Sequence, residues 1–297
     1  MTLAEAVAEA TRRLAAAGVE AARGDARLLI CRLLGAGPEL LLAQPERSLS
    51  QEEATRIEVA VARRAAREPV SRILGQREFW SLLFALNAAT LDPRPDSETL
   101  VEAVLATLPD RAVALRILDL GTGTGCLLLA LLSELPRATG CGIDINDEAV
   151  ALAAENAARL GFSGRTDFRR HSWEDGLDLE SEPWDVVIGN PPYIASGEIA
   201  GLAPEVAGYD PPAALDGGAD GLSAYRALIP AAVGVLKPGG LLALEVGQGQ
   251  AGPVEALLAA AGIDPLGRAT DLGGIERCLL GLKARRNAAS QAAVRRG

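Results

Sequence analysis

Residues 119–125 read Asp-Leu-Gly-Thr-Gly-Thr-Gly, a glycine-rich stretch that follows a short apolar segment and precedes a helical pattern. Glycine lets the backbone turn tightly and approach a ligand closely, and the N-terminus of the following helix attracts negative charge. The stretch is therefore a candidate ligand loop formed by Gly121, Thr122, Gly123, Thr124 and Gly125. A tight strand-to-helix turn that holds no ligand is the alternative.

The segments around this loop alternate between short apolar strands and helices. Strands are predicted over 117–120, 141–144, 166–170, 185–189 and 241–246, and helices over 127–135, 149–160 and 222–236. Such alternation is typical of an α/β fold with a mostly parallel sheet and right-handed connections. In that fold, ligands bind at the carboxyl ends of the strands.

Two residues near the loop indicate which ligand it takes. A dinucleotide fingerprint has Gly or Ala at the sixth position of G-x-G-x-x-G, whereas this chain has Cys126, which favours S-adenosylmethionine over NAD. Asp144 ends the next strand, about 20 residues further on, where a carboxylate can accept both hydrogen bonds from a ribose cis-diol. The alternative role for Asp144 is an acid near the start of the helix that follows it.

The sequence Asn190-Pro191-Pro192-Tyr193 comes directly after the strand predicted at 185–189. Two prolines fix the loop and remove two backbone donors. The acceptors that remain are the Asn190 side-chain oxygen and the Pro191 carbonyl, beside the flat ring of Tyr193. This combination suits a planar nitrogen that carries hydrogens, whereas the alternative is a rigid surface turn.

The first part of the chain predicts a small all-helical domain over residues 1–75. Thr2 with Glu5, and Ser50 with Glu53, form capping-box patterns ahead of apolar helical spacing, and another helix is predicted over 27–34. An aromatic and aliphatic run makes 76–92 a predicted hairpin linker. The large domain is predicted over 93–284, and the tail 285–297, which lacks periodicity, is predicted to be disordered.

Composition narrows the function. Hydrophobic residues make up 49% of the 297 residues and charged residues 23%, which is the balance of a globular protein with a sizeable core. The single histidine, His171, excludes a multi-histidine zinc site, so no metal is predicted. The formal net charge of −10 argues against direct nucleic-acid binding.

The chain carries no sign of secretion or of a membrane span. Its first residues include Glu5 where a signal peptide would be basic, and no uncharged apolar run is long enough for a bilayer. Four scattered cysteines fit a reducing compartment. A cytoplasmic location and no membrane partner are therefore expected.

Two further features have competing interpretations. Trp173 follows a predicted strand and either covers an adenine or belongs to the core, and the neighbouring His171 is interpreted as a polar strand-end residue. A basic cluster could bind an acidic partner or RNA, although charges on helices are usually solvated. The cluster consists of Arg63, Arg64, Arg67, Arg72 and Arg77.

Together these motifs resemble the release-factor glutamine N5-methyltransferases of bacteria and organelles, over nearly the whole chain. Besides the glycine loop and Asn190–Tyr193, the resemblance includes segments 69–75, 77–80, 93–98, 215–222 and 237–240. The chain differs from the pattern of this family at Asp92, Ser172 and Ile275.

The resemblance implies a Rossmann-like class I S-adenosylmethionine-dependent methyltransferase domain that methylates the glutamine of a Gly-Gly-Gln loop in peptide-chain release factors. It implies that the helical domain recognises the release factor. It also implies S-adenosylmethionine contacts at Gly121–Gly125, Asp144, Trp173 and Asn190, with the acceptor amide held by residues 190–193.

Two other functions remain open from the residues themselves. Asn-Pro-Pro-Tyr also occurs in adenine and guanine amino-methyltransferases, which would benefit from a basic groove. A non-enzymatic S-adenosylmethionine-binding module would use the motif only as a turn. No strong general base is evident in the motif, so the reaction is expected to depend mainly on positioning.

Overall fold

Residues 1–177 and 182–285 are described by a computed structural model of the chain. The described residues divide into two units: Met1–Arg77 joins Leu202–Asp210, and the described residues of Glu78–Gly201 join those from Pro211 onward. Of the tail predicted to be disordered, all but Arg285 lies outside the described residues.

The first unit is helical. Its helices are α1 (Leu3–Ala16), α2 (Ala22–Leu33), α3 (Leu40–Ala43), α4 (Gln51–Ala65) and α5 (Val70–Leu74). Both predicted capping boxes are confirmed. The side chains of Thr2 and Ser50 accept from the backbone N–H groups of Glu5 and Glu53, and the Glu5 and Glu53 carboxylates accept from the backbone N–H groups of Thr2 and Ser50. The predicted start of α2 at Arg27 was wrong. The helix begins at Ala22, since buried Ala22 and Ala26 pack inward although small residues give a weak apolar pattern.

Arginines of the predicted basic cluster hold residues 202–210 within this unit. Arg64 donates to Asp25 at 2.8 Å and to Glu205 at 3.0 Å, and Arg67 donates to Glu205 at 2.7 Å. Arg72 pairs with the buried Asp210 at 2.8 Å. These arginines therefore neutralise acids of their own chain.

A two-stranded sheet follows, formed by β1 (Gln76–Phe79) and β2 (Leu82–Ala85), as predicted for the linker. Its turn residues Trp80 and Ser81 both have positive φ, 51° and 58°, a conformation that suits the twist of a two-residue hairpin. The Trp80 backbone N–H donates to Glu98 at 2.8 Å, and its indole N–H donates to Glu134 at 3.1 Å. These hydrogen bonds offset the cost of a bulky residue in the left-handed region.

The second unit contains the α/β fold that the alternation predicted. Its helices are α6 (Glu98–Thr107), α7 (Cys126–Glu134), α8 (Asp147–Leu160), α10 (Ser223–Val235) and α11 (Ala251–Ala260), while the short α9 (Pro204–Ala207) belongs with the first unit. The strands are β3 (Arg116–Leu120), β4 (Thr139–Asp144), β5 (Thr166–Arg170), β6 (Trp184–Gly189), β7 (Leu236–Glu245), β8 (Ile263–Thr270) and β9 (Glu276–Lys283).

The sheet has the order β5-β4-β3-β6-β7-β9-β8, in which β3–β7 run parallel and β9 is antiparallel to both neighbours. Helix α11 and the pair β8–β9 were not predicted. Lys237–Gly240 was predicted to follow the end of a helix, whereas it lies within β7, where the register with β6 shifts.

Buried side chains cover both faces of the sheet, with Leu128 and Val104 in one apolar cluster and Leu228 and Val254 in the other. This packing leaves the carboxyl ends of β3, β4, β6 and β7 to build a site. Among the described residues, no helix has both the length and the apolar character that crossing a membrane requires.

Candidate active site

A pocket opens at the carboxyl ends of the parallel strands. It is lined by eight of the residues proposed from sequence, namely Gly121, Thr122, Gly123, Thr124, Asp144, Trp173, Asn190 and Pro192. Gly125, Pro191 and Tyr193 are not among the lining residues. The pocket also includes residues that were not proposed as site residues from the sequence: Ala89, Thr90, Leu91, Pro93, Arg94, Ser97, Cys126, Leu127, Ile145, Asn146, Pro211, Ala213 and Ala214.

The glycine loop is held tightly against β4. Gly121, Gly123 and Gly125 have φ of 75°, 52° and 80°, in the left-handed region that glycine adopts without a Cβ clash. The N–H groups of Gly121 and Thr122 both donate to the Ile143 carbonyl at 2.9 Å. Both N–H groups therefore already donate within the protein. The loop would contribute to ligand binding mainly because its backbone allows close approach.

Gly125 has a packing role behind the loop. A Cβ there would lie 3.3 Å from the Cβ of Ala153 on α8, tighter than an ordinary contact. The buried Asn156 on the same helix donates to the Thr124 carbonyl at 3.0 Å. Helix α8 therefore fixes the far side of the loop.

Asp119 anchors the start of the loop. The Thr122 hydroxyl donates to Asp119 Oδ2 at 2.7 Å, and burial raises the pKa of this carboxyl to about 7. Oδ1 is buried with no hydrogen-bond partner among the described residues.

Asp144 faces the pocket from the end of β4. Its Oδ2 accepts from the Gly123 N–H at 3.0 Å and its Oδ1 accepts from the Asn146 N–H at 3.0 Å. Burial raises its pKa, although these backbone hydrogen bonds oppose the shift. Asn146 itself caps α8 by accepting from the Glu148 N–H at 2.9 Å. Asn146 rather than Asp144 therefore caps α8, which leaves the Asp144 carboxylate able to accept from a ligand.

Trp173 lines the pocket and also packs against the core. A Cβ at Gly121 would lie 3.3 Å from its ring, so glycine gives the indole room. The neighbouring His171 ring contacts the Gly176 carbonyl at 2.5 Å and is not among the lining residues, which agrees with a structural role.

The three departures from the family pattern have defined places. Asp92 is buried between the lining residues Leu91 and Pro93. Ser172 accepts from the Glu174 N–H at 3.2 Å and so caps the short turn that carries Trp173. The Ile275 N–H donates to Asp271 at 3.0 Å in the turn between β8 and β9.

Residues 190–193 follow the end of β6 and are held in place by contacts to Tyr193. The Gln250 side chain donates to the Tyr193 carbonyl at 2.8 Å and accepts from the Gly247 N–H at 3.1 Å. A Cβ at Gly221 would lie 2.4 Å from the Tyr193 carbonyl oxygen, and one at Gly217 would lie 2.8 Å from the Tyr193 Cα. The glycines of segment 215–222 are thus needed for the close approach of two backbones.

Glu245, at the end of β7, was predicted only as part of a strand. It is buried, and the Tyr193 hydroxyl donates to its Oε1 at 3.4 Å. Burial raises the pKa of this carboxyl to about 7, whereas hydrogen bonding by Ser97 and the charge of Arg277 lower it. A single acid within a predicted apolar strand was the sequence signal that could have identified Glu245.

The described part of the chain contains no cluster of His, Cys, Asp and Glu side chains arranged for a metal ion.

Two family models match this chain. Residues 5–75 match the family described as the PrmC N-terminal domain, and residues 112–251 match the family described as a methyltransferase domain. The chain is 52% identical over 277 residues to the release factor glutamine methyltransferase of Rhodospirillum rubrum, covering 93% of this chain and 83% of that protein.

Two further proteins of the same name are similar over comparable lengths. The protein from Bradyrhizobium diazoefficiens is 48% identical, with 90% of each chain covered. The protein from Caulobacter vibrioides is 44% identical, with 95% of this chain and 97% of that protein covered.

Proposed function

Because this chain belongs to the family of release factor glutamine methyltransferases, we propose that it methylates a release-factor glutamine, using S-adenosylmethionine as the methyl donor. The acceptor is the side-chain amide nitrogen, N5, of the glutamine in the Gly-Gly-Gln motif. The observation that carries the proposal is the position of Asn190 and Pro192 on the same pocket as the glycine loop and Asp144. With the nucleoside of S-adenosylmethionine bound by the glycine loop and Asp144, that arrangement would put a hydrogen-bond acceptor for a planar amide next to it.

The pocket residues fit S-adenosylmethionine. The Asp144 carboxylate would accept from the ribose hydroxyls, and Trp173 with Ile145 offers apolar surface for the adenine. Gly121 and Gly123 would allow close approach to the rest of the molecule, and a Cβ at Gly123 would meet open space. Gly125 would support the loop from behind. When bound, S-adenosylmethionine supplies a methyl group activated by a sulfonium.

The chain's own residues hold the acceptor. An amide nitrogen is a poor nucleophile because its lone pair is delocalised, so alignment must supply much of the acceleration, up to roughly 7–11 kcal/mol. The Asn190 Oδ1 and the Pro191 carbonyl would accept the two amide hydrogens, and Pro192 and Tyr193 would hold the loop and cover the flat group. These hydrogen bonds strengthen as positive charge develops on the nitrogen, which favours the transition state. The proton then leaves toward water.

The helical unit is proposed to recognise the folded release factor. A short Gly-Gly-Gln peptide offers little surface to this unit, so it should react with a much lower kcat/KM than the whole protein does. The cytoplasm, where release factors act, is the proposed location.

The decisive experiment is labelled methyl transfer to a panel of acceptors. We expect incorporation into a folded release factor and none into its glutamine-to-alanine variant. Transfer to tRNA, rRNA or DNA instead would identify a nucleic-acid methyltransferase. S-adenosylmethionine binding without transfer to any acceptor would identify a binding module.

A further inference from the structure

A buried carboxylate lies directly behind the Asn190–Tyr193 loop. Glu245 is the last residue of β7, and it is 1% exposed. The parallel register of β6 and β7 pairs Gly189 with Leu244, so the next residues, Asn190 and Glu245, leave neighbouring strands side by side. The proposed reaction above assigns Glu245 no part.

The side chains of Asn190 and Tyr193 in the loop and of Ser97 outside it relate this carboxylate to the loop. The Asn190 Nδ2 donates to the Ser97 hydroxyl at 3.3 Å, and Ser97 lines the pocket. Ser97 in turn acts on Glu245, since hydrogen bonding by Ser97 lowers the pKa of this carboxyl, and the Tyr193 hydroxyl donates to Glu245 Oε1 at 3.4 Å. Ser97 belongs to segment 93–98, which carries part of the family resemblance but had no functional role.

The ionised carboxylate gives this chain of hydrogen bonds a direction. A carboxylate only accepts, so the Tyr193 hydroxyl donates to Glu245, and Ser97 lowers the pKa of Glu245 by directing its hydroxyl hydrogen toward it. The Ser97 oxygen can then only accept from Asn190, which must present its NH2 group to Ser97. The Asn190 Oδ1 is thereby left to accept a hydrogen from another donor.

We propose that Glu245 and Ser97 are positioning residues for methyl transfer, which fix the Asn190 amide with Oδ1 turned to accept from the substrate nitrogen. The proposal rests on the glutamine methyltransferase function proposed above. A reversed Asn190 would present NH2 to the NH2 of the substrate, which is repulsive. Holding the correct orientation before substrate binds avoids that cost in the transition state.

The orientation should depend on the charge of Glu245. The charge of Arg277 lowers the pKa of this carboxyl and the charge of Asp96 raises it. The Tyr225 hydroxyl donates to the Glu245 backbone carbonyl at 2.8 Å. The other ionisable neighbours are the hydroxyl of Tyr193 and the thiol of Cys278, both neutral at pH 7 because burial and Glu245 raise their pKa. Burial of Glu245 itself raises its pKa to about 7.

Protonated Glu245 can donate to Ser97 and allow the reversed Asn190. Since the ionised form is the productive one, kcat should fall as the pH drops through about 7.

The test compares Glu245→Gln with Glu198→Gln, an exposed acid five positions beyond Tyr193 that serves as the matched control. In the full-length enzyme with a folded release factor, Glu245→Gln should lower kcat about 10- to 100-fold, the effect of losing a hydrogen bond to a charged group. The affinity for S-adenosylmethionine should change less than threefold. Glu198→Gln should behave as wild type.

The pH profile separates positioning from a merely structural role. The decline of kcat below pH 7 should disappear in Glu245→Gln and persist in His171→Asn. If Glu245→Gln does not fold, Ser97→Ala replaces it, because the loss of this hydroxyl should also depress kcat and weaken the pH dependence. Folding of each variant is verified by thermal unfolding.

The outcomes distinguish the two proposals. No transfer to the release factor by the wild-type enzyme would overturn the proposed function and, with it, this inference. Wild-type transfer combined with an unchanged kcat and pH profile in folded Glu245→Gln, or in folded Ser97→Ala when the former fails, would overturn the positioning role alone.

Discussion

The contacts of Asp144 decide which substitution best tests its predicted ribose role. It accepts from the backbone of Gly123 as well as facing the pocket, so alanine would disturb the loop in addition to the ligand. Asp144→Asn preserves the size and removes the charge. We expect S-adenosylmethionine binding to weaken by about 1.5–3 kcal/mol, the range for hydrogen bonds to charged groups.

Titration calorimetry measures this effect, with Asp147→Asn as the control. Asp147 is an exposed acid three positions further along the chain, at the start of α8, so its neutralisation should leave the affinity unchanged. Equal affinities of wild type and Asp144→Asn would remove Asp144 from the proposed ribose site.

Asn190 provides the second prediction at this scale. Asn190→Ala removes the acceptor that strengthens as charge develops, so kcat should fall about 100-fold or more while S-adenosylmethionine affinity changes little. Steady-state kinetics on a folded release factor, together with cofactor titration, measure the two effects separately. A loss confined to KM would mean that Asn190 contributes only ground-state binding.

At the level of elements, alanine substitution of two glycines distinguishes a steric clash from a change in backbone conformational preference. Gly221 has φ of 73°, and a Cβ there would lie 2.4 Å from the Tyr193 carbonyl oxygen. Gly221→Ala should therefore lower the free energy of unfolding by about 1–3 kcal/mol and also depress kcat, because Tyr193 must shift.

Gly234→Ala is the matched control. Gly234 is exposed in α10, and a Cβ there meets no atom within 4 Å. Alanine favours the helix, so the free energy of unfolding should stay equal or rise by up to about 1 kcal/mol, with kcat unchanged. Urea unfolding of both variants measures the difference. A Gly221→Ala enzyme with wild-type stability and rate would show that residues 190–193 tolerate displacement.

At the level of the whole molecule, residues 202–210 are distant in sequence from the helical unit that holds them. Glu205 accepts from Arg64 and Arg67, and the hydrogen bond from Arg67 is the main cause that lowers its pKa to about 2. A depressed carboxyl pKa stabilises the folded state above the unfolded value of 4.5, and this stability is lost as the pH falls toward 2. Glu205→Gln should thus cost on the order of 2 kcal/mol at pH 7, after allowance for partial exposure.

The measurement is urea unfolding at pH 7, 4 and 2.5, followed by helical circular dichroism. The difference between wild type and Glu205→Gln should shrink steadily across this series. Glu58→Gln, which breaks an exposed pair with Arg13, should cost no more than about 0.5 kcal/mol. A Glu205 effect that was equally small at pH 7 would show that residues 202–210 are held mainly by other contacts.

Local patterns determined much of this protein. Alternating apolar periods predicted the parallel strands β3–β7, and the capping boxes predicted the starts of α1 and α4, because these signals depend on neighbours within a few residues. The glycine loop and Asn190–Tyr193 were recognisable for the same reason, since each is one continuous segment that follows a strand.

Only the tertiary structure brought Ser97, Asn190 and Glu245 together. These residues come from three separate segments, and their meeting depends on the order and register of the sheet, which no local pattern contains. The antiparallel β9 lies between β7 and β8 for the same reason. Likewise, the sequence did not predict that Arg64 and Arg72 form ion pairs with the acids at 205 and 210. Ion pairing between distant segments depends on how the chain folds back.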